Sequence, residues 1–214
     1  MIYILDKENV FPPLEEAEPD GLLAMGGDLS TERLLSAYRQ GIFPWYETDI
    51  PLWWSPDPRM VLFPEEFKIS KTVKKLLKEE AFDFTINKAF ASVIHHCKEV
   101  PRSGQMGTWI TDEVENAYTR LHELGYAHSA EVWLEEELVG GLYGIRIGKV
   151  FYGESMFSLV SNASRYAFSK YVALLQHDGV KMIDCQVYTD YLESMGARMI
   201  GRKKFIAQLE ILIS

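Results

Sequence analysis

Two apolar stretches of the sequence carry polar side chains where a buried β-strand should carry only apolar ones. VFYGESMFS (150–158) contains Glu154, and KMIDCQVY (181–188) contains Asp184 and Gln186. Side chains alternate between the two faces of a strand, so Asp184 and Gln186 are expected on one face. A buried carboxylate costs free energy unless it meets a cation or hydrogen-bond donors. These residues could form a satisfied structural network, a solvated strand end, or a site at the open end of a sheet.

Apolar residues surround Glu154 and predict what such a site would bind. Glu154 and Met156 share one face of their strand, and a bulge at Gly153 would bring Phe151 to the same side. Together with Leu142 on the preceding predicted strand, these side chains suit a large apolar group. A carboxylate beside them suits the α-ammonium group of an amino acid. The pattern therefore predicts a cleft for an amino acid with a large apolar side chain.

A run of lysines predicts a basic helix face. In SKTVKKLLKEE the lysines recur every three or four residues, which places on one helix face Lys71, Lys74, Lys75 and Lys78. We call these four residues the lysine stripe. Such a stripe could be an ordinary solvated face, or it could follow the phosphates of a nucleic acid. Candidates to extend it are Arg59, Arg202, Lys203 and Lys204.

Two tryptophans are candidates to stack on a nucleic-acid base. Trp45 in GIFPWY and Trp109 in GTWIT lie in predicted loops beside glycine or proline. An exposed aromatic ring on a loop contributes about 1–3 kcal/mol when a base stacks on it. The alternative is that both rings fill the seam between two structural units. The sequence alone leaves the two interpretations open.

The composition indicates an acidic cytoplasmic protein. The 214 residues carry a formal net charge of −9, so binding to nucleic acid would need a local basic patch. Two isolated cysteines form neither a disulfide framework nor a metal-binding pattern. The N-terminus MIYILDKENV meets charged residues before a signal peptide could form, and no stretch is long and apolar enough to span a membrane. We therefore expect a cytoplasmic location, no metal and no membrane segment.

The chain divides into two regions by composition and periodicity. Residues 1–62 are rich in proline, glycine and tryptophan and contain one predicted helix, opened by Ser30 and closed by Gly41. This region is expected to be a small, irregular N-terminal domain. Residues 63–214 show regular helical and strand periodicities and are expected to form the second domain.

The second region predicts a mixed α/β sheet. Helices are expected after Ser70, after Asn87 and in TDEVENAYTRLHELG. Strands are expected at 128–135, 138–146 and 149–157, with a hairpin turn near Gly148. They are followed by a helix at 162–176, the strand KMIDCQVY, the short helix YLESMG and a final strand FIAQLEILIS. Antiparallel strands followed by a strand–helix–strand unit are typical of the α/β (α+β) class.

Several motifs of this sequence resemble those of the leucyl/phenylalanyl-tRNA–protein transferase family. They are GLLAMGGDLS, GIFPWY, LWWSPDPR, GTWIT, AYTRLHELGYAHSAEVW, LVGGLYGI, GESMFS, NAS and IDCQV. The similarity runs in register from about residue 11 to residue 200, and LWWSPDPR and VFYGESMFS are especially specific. One departure is Leu142, at a pocket position that is often methionine in the family, so the preference among Leu, Phe and Met stays open.

The resemblance implies a fold and a reaction. It implies a small N-terminal domain followed by an acetyltransferase-like (GNAT-like) domain. It also implies transfer of Leu or Phe, with Met as a further candidate, from aminoacyl-tRNA to the α-amine of proteins that begin with Arg or Lys. The product would mark the acceptor for degradation in the N-degron pathway. The reaction would need no cofactor, neither ATP nor CoA, and we expect a monomeric enzyme.

The resemblance also implies roles for individual residues. Trp45 and Trp109 would hold the terminal adenosine of the tRNA. The pocket for the aminoacyl side chain would be lined by Leu142, Phe151, Met156 and Tyr171. Glu154 would orient the aminoacyl group, while Asp184 and Gln186 would act at the reacting centre by relaying a proton or by positioning the amine. The charge pattern, rather than the resemblance, suggests that the lysine stripe and Arg59 would contact the tRNA backbone.

Three other functions fit parts of the sequence less well. A CoA-dependent acetyltransferase would need a glycine-rich pyrophosphate loop, and the corresponding segment SLVSNASRYA contains no glycine. A non-catalytic module that binds tRNA or degradation signals would not need both Asp184 and Gln186. A peptidoglycan-type aminoacyl transferase usually has a longer, duplicated chain.

Overall fold

The computed structural model describes residues 2–100 and 109–214 and contains strands and helices throughout these ranges. The strands are β1 (Tyr3–Leu5), β2 (Leu22–Gly26), β3 (Phe43–Pro44), β4 (Leu52–Trp54), β5 (Arg59–Leu62), β6 (Asp83–Ile86), β7 (Ala127–Leu134), β8 (Glu137–Ile147), β9 (Val150–Ser158), β10 (Met182–Gln186) and β11 (Arg198–Ile200). The α-helices are α1 (Thr31–Arg39), α2 (Lys71–Lys78), α3 (Phe90–Glu99), α4 (Asp112–Glu123), α5 (Ala163–His177), α6 (Asp190–Ser194) and α7 (Arg202–Ile213).

The strands form two sheets. The smaller sheet belongs to the N-terminal region and has the order β1-β2-β4-β3. The larger has the order β11-β5-β10-β9-β8-β7-β6, and its β9–β10 pair is parallel while its other pairs are antiparallel. The parallel pair is joined by α5, as a strand–helix–strand unit requires. The mixed α/β class expected from the sequence is confirmed.

A bulge interrupts the pairing of β8 with β9. Tyr143 pairs with Ser155, and the next residue, Gly144, pairs with Gly153, so Glu154 is the extra residue of β9. Glycine at position 144 is required, because a Cβ atom there would lie 2.1 Å from the backbone oxygen of Tyr152. The sequence predicted a bulge at Gly153, and the structure has it one residue further along, at Glu154. Its consequence is that the side chain of Glu154 leaves the regular alternation of the strand.

Apolar residues cover both faces of the large sheet. One cluster lies under α5 and includes Tyr166 and Val172. The cluster on the opposite face combines Trp53 of the N-terminal region with Val93 of α3 and Phe205 of α7. The N-terminal region therefore shares a core with the rest of the chain.

Most of the predicted elements are confirmed, and their boundaries follow local signals. The side chains of Ser30 and Ser70 accept hydrogen bonds from the backbone N–H of Arg33 and Val73, which caps α1 and α2. The β8–β9 hairpin turns at Gly148, whose φ of 56° lies in the left-handed region. In chain order, the first strand of the large sheet is β5, and it lies within the residues 1–62 that were expected to form the N-terminal domain.

Two local predictions are wrong. FIAQLEILIS is not a strand but most of helix α7, because Phe205 and Leu209 are four residues apart and both fully buried. Asn87 does not cap α3, whose N-cap is Ala89. Asn87 has a left-handed backbone, and its Oδ1 accepts a hydrogen bond from the backbone N–H of Ser129.

None of the helices within residues 2–100 and 109–214 has the length and apolar character needed to cross a membrane.

Replacing one apolar residue of α7 tests this helix against the strand that the sequence suggested. Leu209→Ala should lower the free energy of unfolding by about 2–5 kcal/mol, because Leu209 is fully buried. The control is Ile211→Ala on the same helix, where the side chain is 74% exposed and the expected change is within about 0.5 kcal/mol. Urea unfolding followed by circular dichroism measures both. Equal effects would contradict the helical packing.

Candidate active site

A cavity of about 390 Å³ opens between the central strands β8, β9 and β10 of the large sheet and residues 43–45 of the N-terminal region. Its walls are mostly apolar and aromatic, with a few polar groups on one side. The apolar lining includes Phe43, Trp45, Trp109, Leu142, Phe151, Met156, Phe168, Ile183 and Leu192. The polar lining includes Glu154 and Gln186. An apolar cleft with a few convergent polar groups is the usual form of a site for a small organic group.

Glu154 is held in the wall of the cavity by neutral hydrogen-bond donors. Its Oε1 accepts hydrogen bonds from the hydroxyl of Tyr38 at 2.8 Å and from Nε2 of Gln186 at 3.0 Å. Its Oε2 accepts from the hydroxyl of Tyr118 at 3.2 Å. The two tyrosine hydroxyls lie 2.5 Å from each other. This network fixes the direction of the carboxyl group from three sides.

Burial decides the protonation of this network. It raises the pKa of Glu154 to about 8, because desolvation of the charged form outweighs the opposing effect of the hydrogen bonds from Tyr38 and Tyr118. Burial also raises the pKa of both tyrosines well above the usual value, with the charge of Glu154 adding to the effect. The two phenols therefore remain hydrogen-bond donors across the physiological range.

Gln186 enters the cavity because β10 ends in an irregular turn. The pairing of β10 with β5 shifts between Asp184 and Gln186, and Gln186 has a φ of 64°. A left-handed conformation is uncommon for a residue with a side chain. It is held here by a 2.9 Å hydrogen bond from the backbone N–H of Gln186 to Oδ1 of Asp184. Since Nε2 of Gln186 donates to Glu154, its Oε1 is the atom that could accept a hydrogen bond from an incoming group.

Asp184 lies behind the cavity rather than in its lining. The residues that line the cavity on this strand are Ile183, Cys185 and Gln186. Asp184 is fully buried, and its side chain is absent from that lining. The expectation that Asp184 and Gln186 present side chains to one common face is therefore wrong, because the turn after Cys185 rotates Gln186 away from the regular alternation.

Arg59 cannot extend a tRNA-binding surface, contrary to the expectation from the sequence. Its side chain is 1% exposed, and its Nε and Nη2 atoms donate to the two carboxylate oxygens of Asp184 at 2.8 Å and 2.7 Å. A basic residue that the sequence placed on the surface is in fact the buried partner of an acidic one. The reason is that Asp184 could not be buried without a cation.

The two tryptophans that the sequence suggested for base stacking both line the cavity. Trp45 is 37% exposed, and its ring lies 5.7 Å from that of Trp54. Trp109 is 7% exposed and packs 6.2 Å from Tyr118. One ring is thus accessible for stacking and the other is largely covered. Their roles toward adenosine stay predictions.

The expected side-chain pocket is assembled in part. Leu142, Phe151 and Met156 meet in the cavity lining. Tyr171 is not part of that lining and instead packs edge-on behind Phe151, with ring centroids 5.2 Å apart. Phe168 and Leu192 take part although no sequence pattern singled them out.

The lysine stripe forms one exposed face of α2, as the spacing predicted. All four lysines are exposed, while Val73 is buried and Leu76 and Leu77 pack against the core. Lys75 lies 3.7 Å from Glu79 in an exposed ion pair, which contributes little to stability. The stripe is outside the cavity lining, and its binding to tRNA stays a prediction.

Tyr38 and Tyr118 were missed as site residues. Both occur at apolar positions of predicted helices, where the sequence pattern indicated core residues. A signal was available, because a tyrosine on the buried face of a helix needs a partner for its hydroxyl. What the sequence could not show is that the partner is Glu154, which is 116 residues away from Tyr38.

The fold of this chain is similar to that of a solved structure. The solved structure of FemX is similar to this chain, with a TM-score of 0.50 and 13% sequence identity, over 84% of this chain and 71% of FemX. At that identity the similarity shows the fold only, and it confirms the GNAT-like fold expected from the sequence.

Sequence comparisons then give the family. The protein-family model described as leucyl/phenylalanyl-tRNA protein transferase matches residues 61–210. The family model of that protein's N-terminal domain matches residues 27–57. The protein of that name from Syntrophobacter fumaroxidans is 56% identical over 97% of this chain and 89% of the relative. The one from Chromobacterium violaceum is 53% identical over 98% of this chain and 91% of the relative. The chain belongs to the leucyl/phenylalanyl-tRNA–protein transferase family and is an aminoacyltransferase.

The raised pKa of Glu154 predicts how stability depends on pH. A glutamate in the unfolded chain ionises near pH 4.3, while the folded carboxyl keeps its proton up to a pKa of about 8. Between these values the folded state binds the extra proton, so the free energy of unfolding should fall as pH rises, by at most about 1.4 kcal/mol per pH unit. The fall should end above pH 8, where both states are ionised.

The control is Glu154→Gln, which keeps the shape of the side chain and cannot titrate. Chemical unfolding of both proteins from pH 5 to pH 9 should give a difference in free energy that declines up to the pKa of about 8 and is then constant. A difference that does not vary with pH would show that Glu154 is ionised throughout.

Proposed function

We propose that this enzyme transfers Leu or Phe, with Met as a further candidate, from aminoacyl-tRNA to the α-amine of proteins that begin with Arg or Lys. The new N-terminal residue would act as a signal for degradation of the acceptor, in the cytoplasm. The observation that carries the proposal is the apolar cavity of about 390 Å³ with Glu154 and Gln186 hydrogen-bonded in one wall. The activity named for its relatives supports the same reaction.

The apolar end of the cavity suits the side chain of the aminoacyl group. Leu142, Phe151 and Met156 offer a surface without charge, and a polar side chain would lose its hydration there without compensation. Such a pocket separates side chains that differ by one methylene by about 1–3 kcal/mol. This supports selection of large apolar residues over small and polar ones, while the order among Leu, Phe and Met depends on finer packing.

Glu154 is suited to the α-amino group of the aminoacyl ester. Before the ester binds, most of these carboxyl groups are protonated at neutral pH, since burial raises the pKa to about 8. An arriving ammonium group would favour the carboxylate and displace that proton, because an opposite charge stabilises the ionised form. The hydroxyls of Tyr38 and Tyr118 would keep the carboxylate aimed at the ligand.

The chemical step is aminolysis of an activated ester. The neutral α-amine of the acceptor attacks the ester carbonyl, a C–N bond forms, and the bond from the carbonyl carbon to the ribose oxygen breaks. The proton lost by the amine ends on that oxygen, directly or through the neighbouring ribose hydroxyl. With a reference pKa of about 7.7–8.0, a useful fraction of N-terminal amines is neutral at pH 7, so positioning rather than a strong base is needed. Oε1 of Gln186 could accept a hydrogen bond from this amine.

The tRNA would be held outside the pocket. Trp45 and Trp109 line the cavity and could stack on the terminal adenine, which contributes about 1–3 kcal/mol for an exposed ring. The lysine stripe could follow the phosphate backbone, with little sequence preference and a strong dependence on salt. We expect a monomer to be active.

The basic side chain of the acceptor needs a negative partner. Glu47 and Asp49 are exposed in the loop between β3 and β4, and Glu154 lies inside the cavity. These three remain the candidates for recognition of Arg or Lys.

A transfer assay tests the proposed reaction and the role of Gln186. Purified protein should attach labelled Leu from Leu-tRNA to a peptide that begins with Arg, without ATP or CoA. Gln186→Ala should reduce transfer by at least about a hundredfold, because the amine loses its acceptor, while binding of the tRNA is retained. Gln176→Ala, an exposed glutamine of α5, serves as the control and should be fully active. If the unaltered enzyme attaches no label to the peptide, the proposed function is wrong.

Lysine substitutions test the site of tRNA binding. Lys74→Ala with Lys78→Ala should weaken binding and reduce the slope of log Kd against log salt, by about 0.7–0.9 for each phosphate that is no longer neutralised. The control pair, Lys7→Ala with Lys149→Ala, removes the same charge from other exposed positions. Binding is measured by filter retention at several salt concentrations. The same slope for both pairs would make the lysine stripe an ordinary solvated face.

A further inference from the structure

We propose that Arg59 is a positioning residue for the transfer reaction, acting through Asp184 on Gln186. The inference rests on the proposed function, and it gives Asp184 a positioning role rather than a role as proton acceptor. It starts from the contacts of Arg59, a residue for which the sequence predicted tRNA binding.

The guanidinium group of Arg59 is committed to Asp184. The two hydrogen bonds of 2.8 Å and 2.7 Å join Nε and Nη2 of Arg59 to the two different oxygens of the carboxylate. The third nitrogen, Nη1, makes no hydrogen bond with the residues that the structure describes. Both side chains are almost fully buried, at 1% and 0% exposure. A two-point contact of this kind fixes the plane of the carboxylate as well as its position.

Aromatic rings hold the guanidinium group from two other elements. Its central carbon lies 4.6 Å from the ring centroid of Phe43 in β3 and 4.8 Å from that of Phe205 in α7. Contacts of a guanidinium group with aromatic faces are favourable, and more so out of water. Arg59 is therefore immobilised by the N-terminal region, by the C-terminal helix and by its own strand. A group held so firmly can serve as a fixed reference for what it binds.

Asp184 passes this constraint on to Gln186. Oδ1 of Asp184 accepts from Arg59 and also from the backbone N–H of Gln186 at 2.9 Å. That bond lies where Gln186 adopts its left-handed conformation, which costs free energy for a residue with a side chain. The turn aims the amide of Gln186 at Glu154 and into the cavity. Without the bond to Asp184, the backbone at Gln186 would lack the interaction that compensates this cost.

The same geometry limits what Asp184 can do chemically. Both of its oxygens accept hydrogen bonds from Arg59, and its side chain is not part of the cavity lining. It contacts the backbone of Gln186 through the N–H group. A proton moving from an amine in the cavity would therefore find no direct route to this carboxylate. The role that remains for Asp184 is to hold Gln186 in place.

The test compares kinetic constants of variants along this chain of contacts. Arg59→Met should lower kcat for transfer by about tenfold or more, because Gln186 is no longer held, while KM for aminoacyl-tRNA changes by less than about threefold. Arg59→Lys keeps the charge but not the two-point contact and should retain an intermediate kcat. The double variant Arg59→Met, Asp184→Asn should have the kcat of Asp184→Asn alone, because both residues act through one contact.

A second buried arginine provides the matched control. Arg33 is 0% exposed and bonds to the backbone oxygens of Asp6 and Glu8, away from the cavity lining. Arg33→Met should lower the melting temperature without lowering kcat per folded molecule. Circular dichroism gives the folded fraction of every variant. If Arg59→Met does not fold, Arg59→Lys and Asp184→Asn decide the question.

Three results would overturn the inference. They are an unchanged kcat in folded Arg59→Met or Arg59→Lys, a double variant much slower than Asp184→Asn, or an equal loss of kcat in Arg33→Met. Each would leave the proposed function intact, since the unaltered enzyme would still transfer Leu. Failure of the unaltered enzyme in the transfer assay would instead remove the function on which the inference rests.

Discussion

The buried ion pair between Arg59 and Asp184 is the interaction on which the site depends. Both charges are out of water, and removing either partner would leave an uncompensated charge in the core. The pair joins β5 to β10, and the hydrogen bond from Gln186 to Glu154 continues the connection to β9. Three neighbouring strands of the large sheet therefore carry one polar network. An apolar replacement could give a stable sheet, but it would leave nothing to hold the polar wall of the cavity.

The polar residues reach the cavity at irregular points of the sheet. Glu154 is the extra residue of a bulge in β9, and Gln186 follows a shift of register at the end of β10. A regular strand would have sent alternate side chains to opposite faces and kept the two groups apart. The bulge is possible because Gly144 leaves room for the opposing backbone. Local departures from ideal geometry are thus what bring the carboxyl and the amide together.

The N-terminal region contributes residues to the site. Trp45 and Phe43 line the cavity, and the hydroxyl of Tyr38 binds Glu154. The same region shares the apolar core with α3, α4 and α7. The GNAT-like sheet supplies the pocket and its polar wall, while the N-terminal region closes one side of it. The two matched family models, over residues 27–57 and 61–210, cover residues on both sides of the cavity.

The sequence by itself determined which residues could do chemistry and most of the elements that carry them. Glu154 and Gln186 stood out because polar groups are costly in apolar strands, and the lysine stripe followed from helical spacing. Only the tertiary structure decided that Arg59 is buried against Asp184 and that Tyr38 and Tyr118 donate hydrogen bonds to Glu154. It also decided that FIAQLEILIS is helical. Each of these depends on contacts between residues that are distant in the sequence, such as Arg59 and Asp184, which are 125 positions apart. Spacing along a chain reveals which face a side chain takes, but the partner that offsets the cost of its burial comes from elsewhere in the fold.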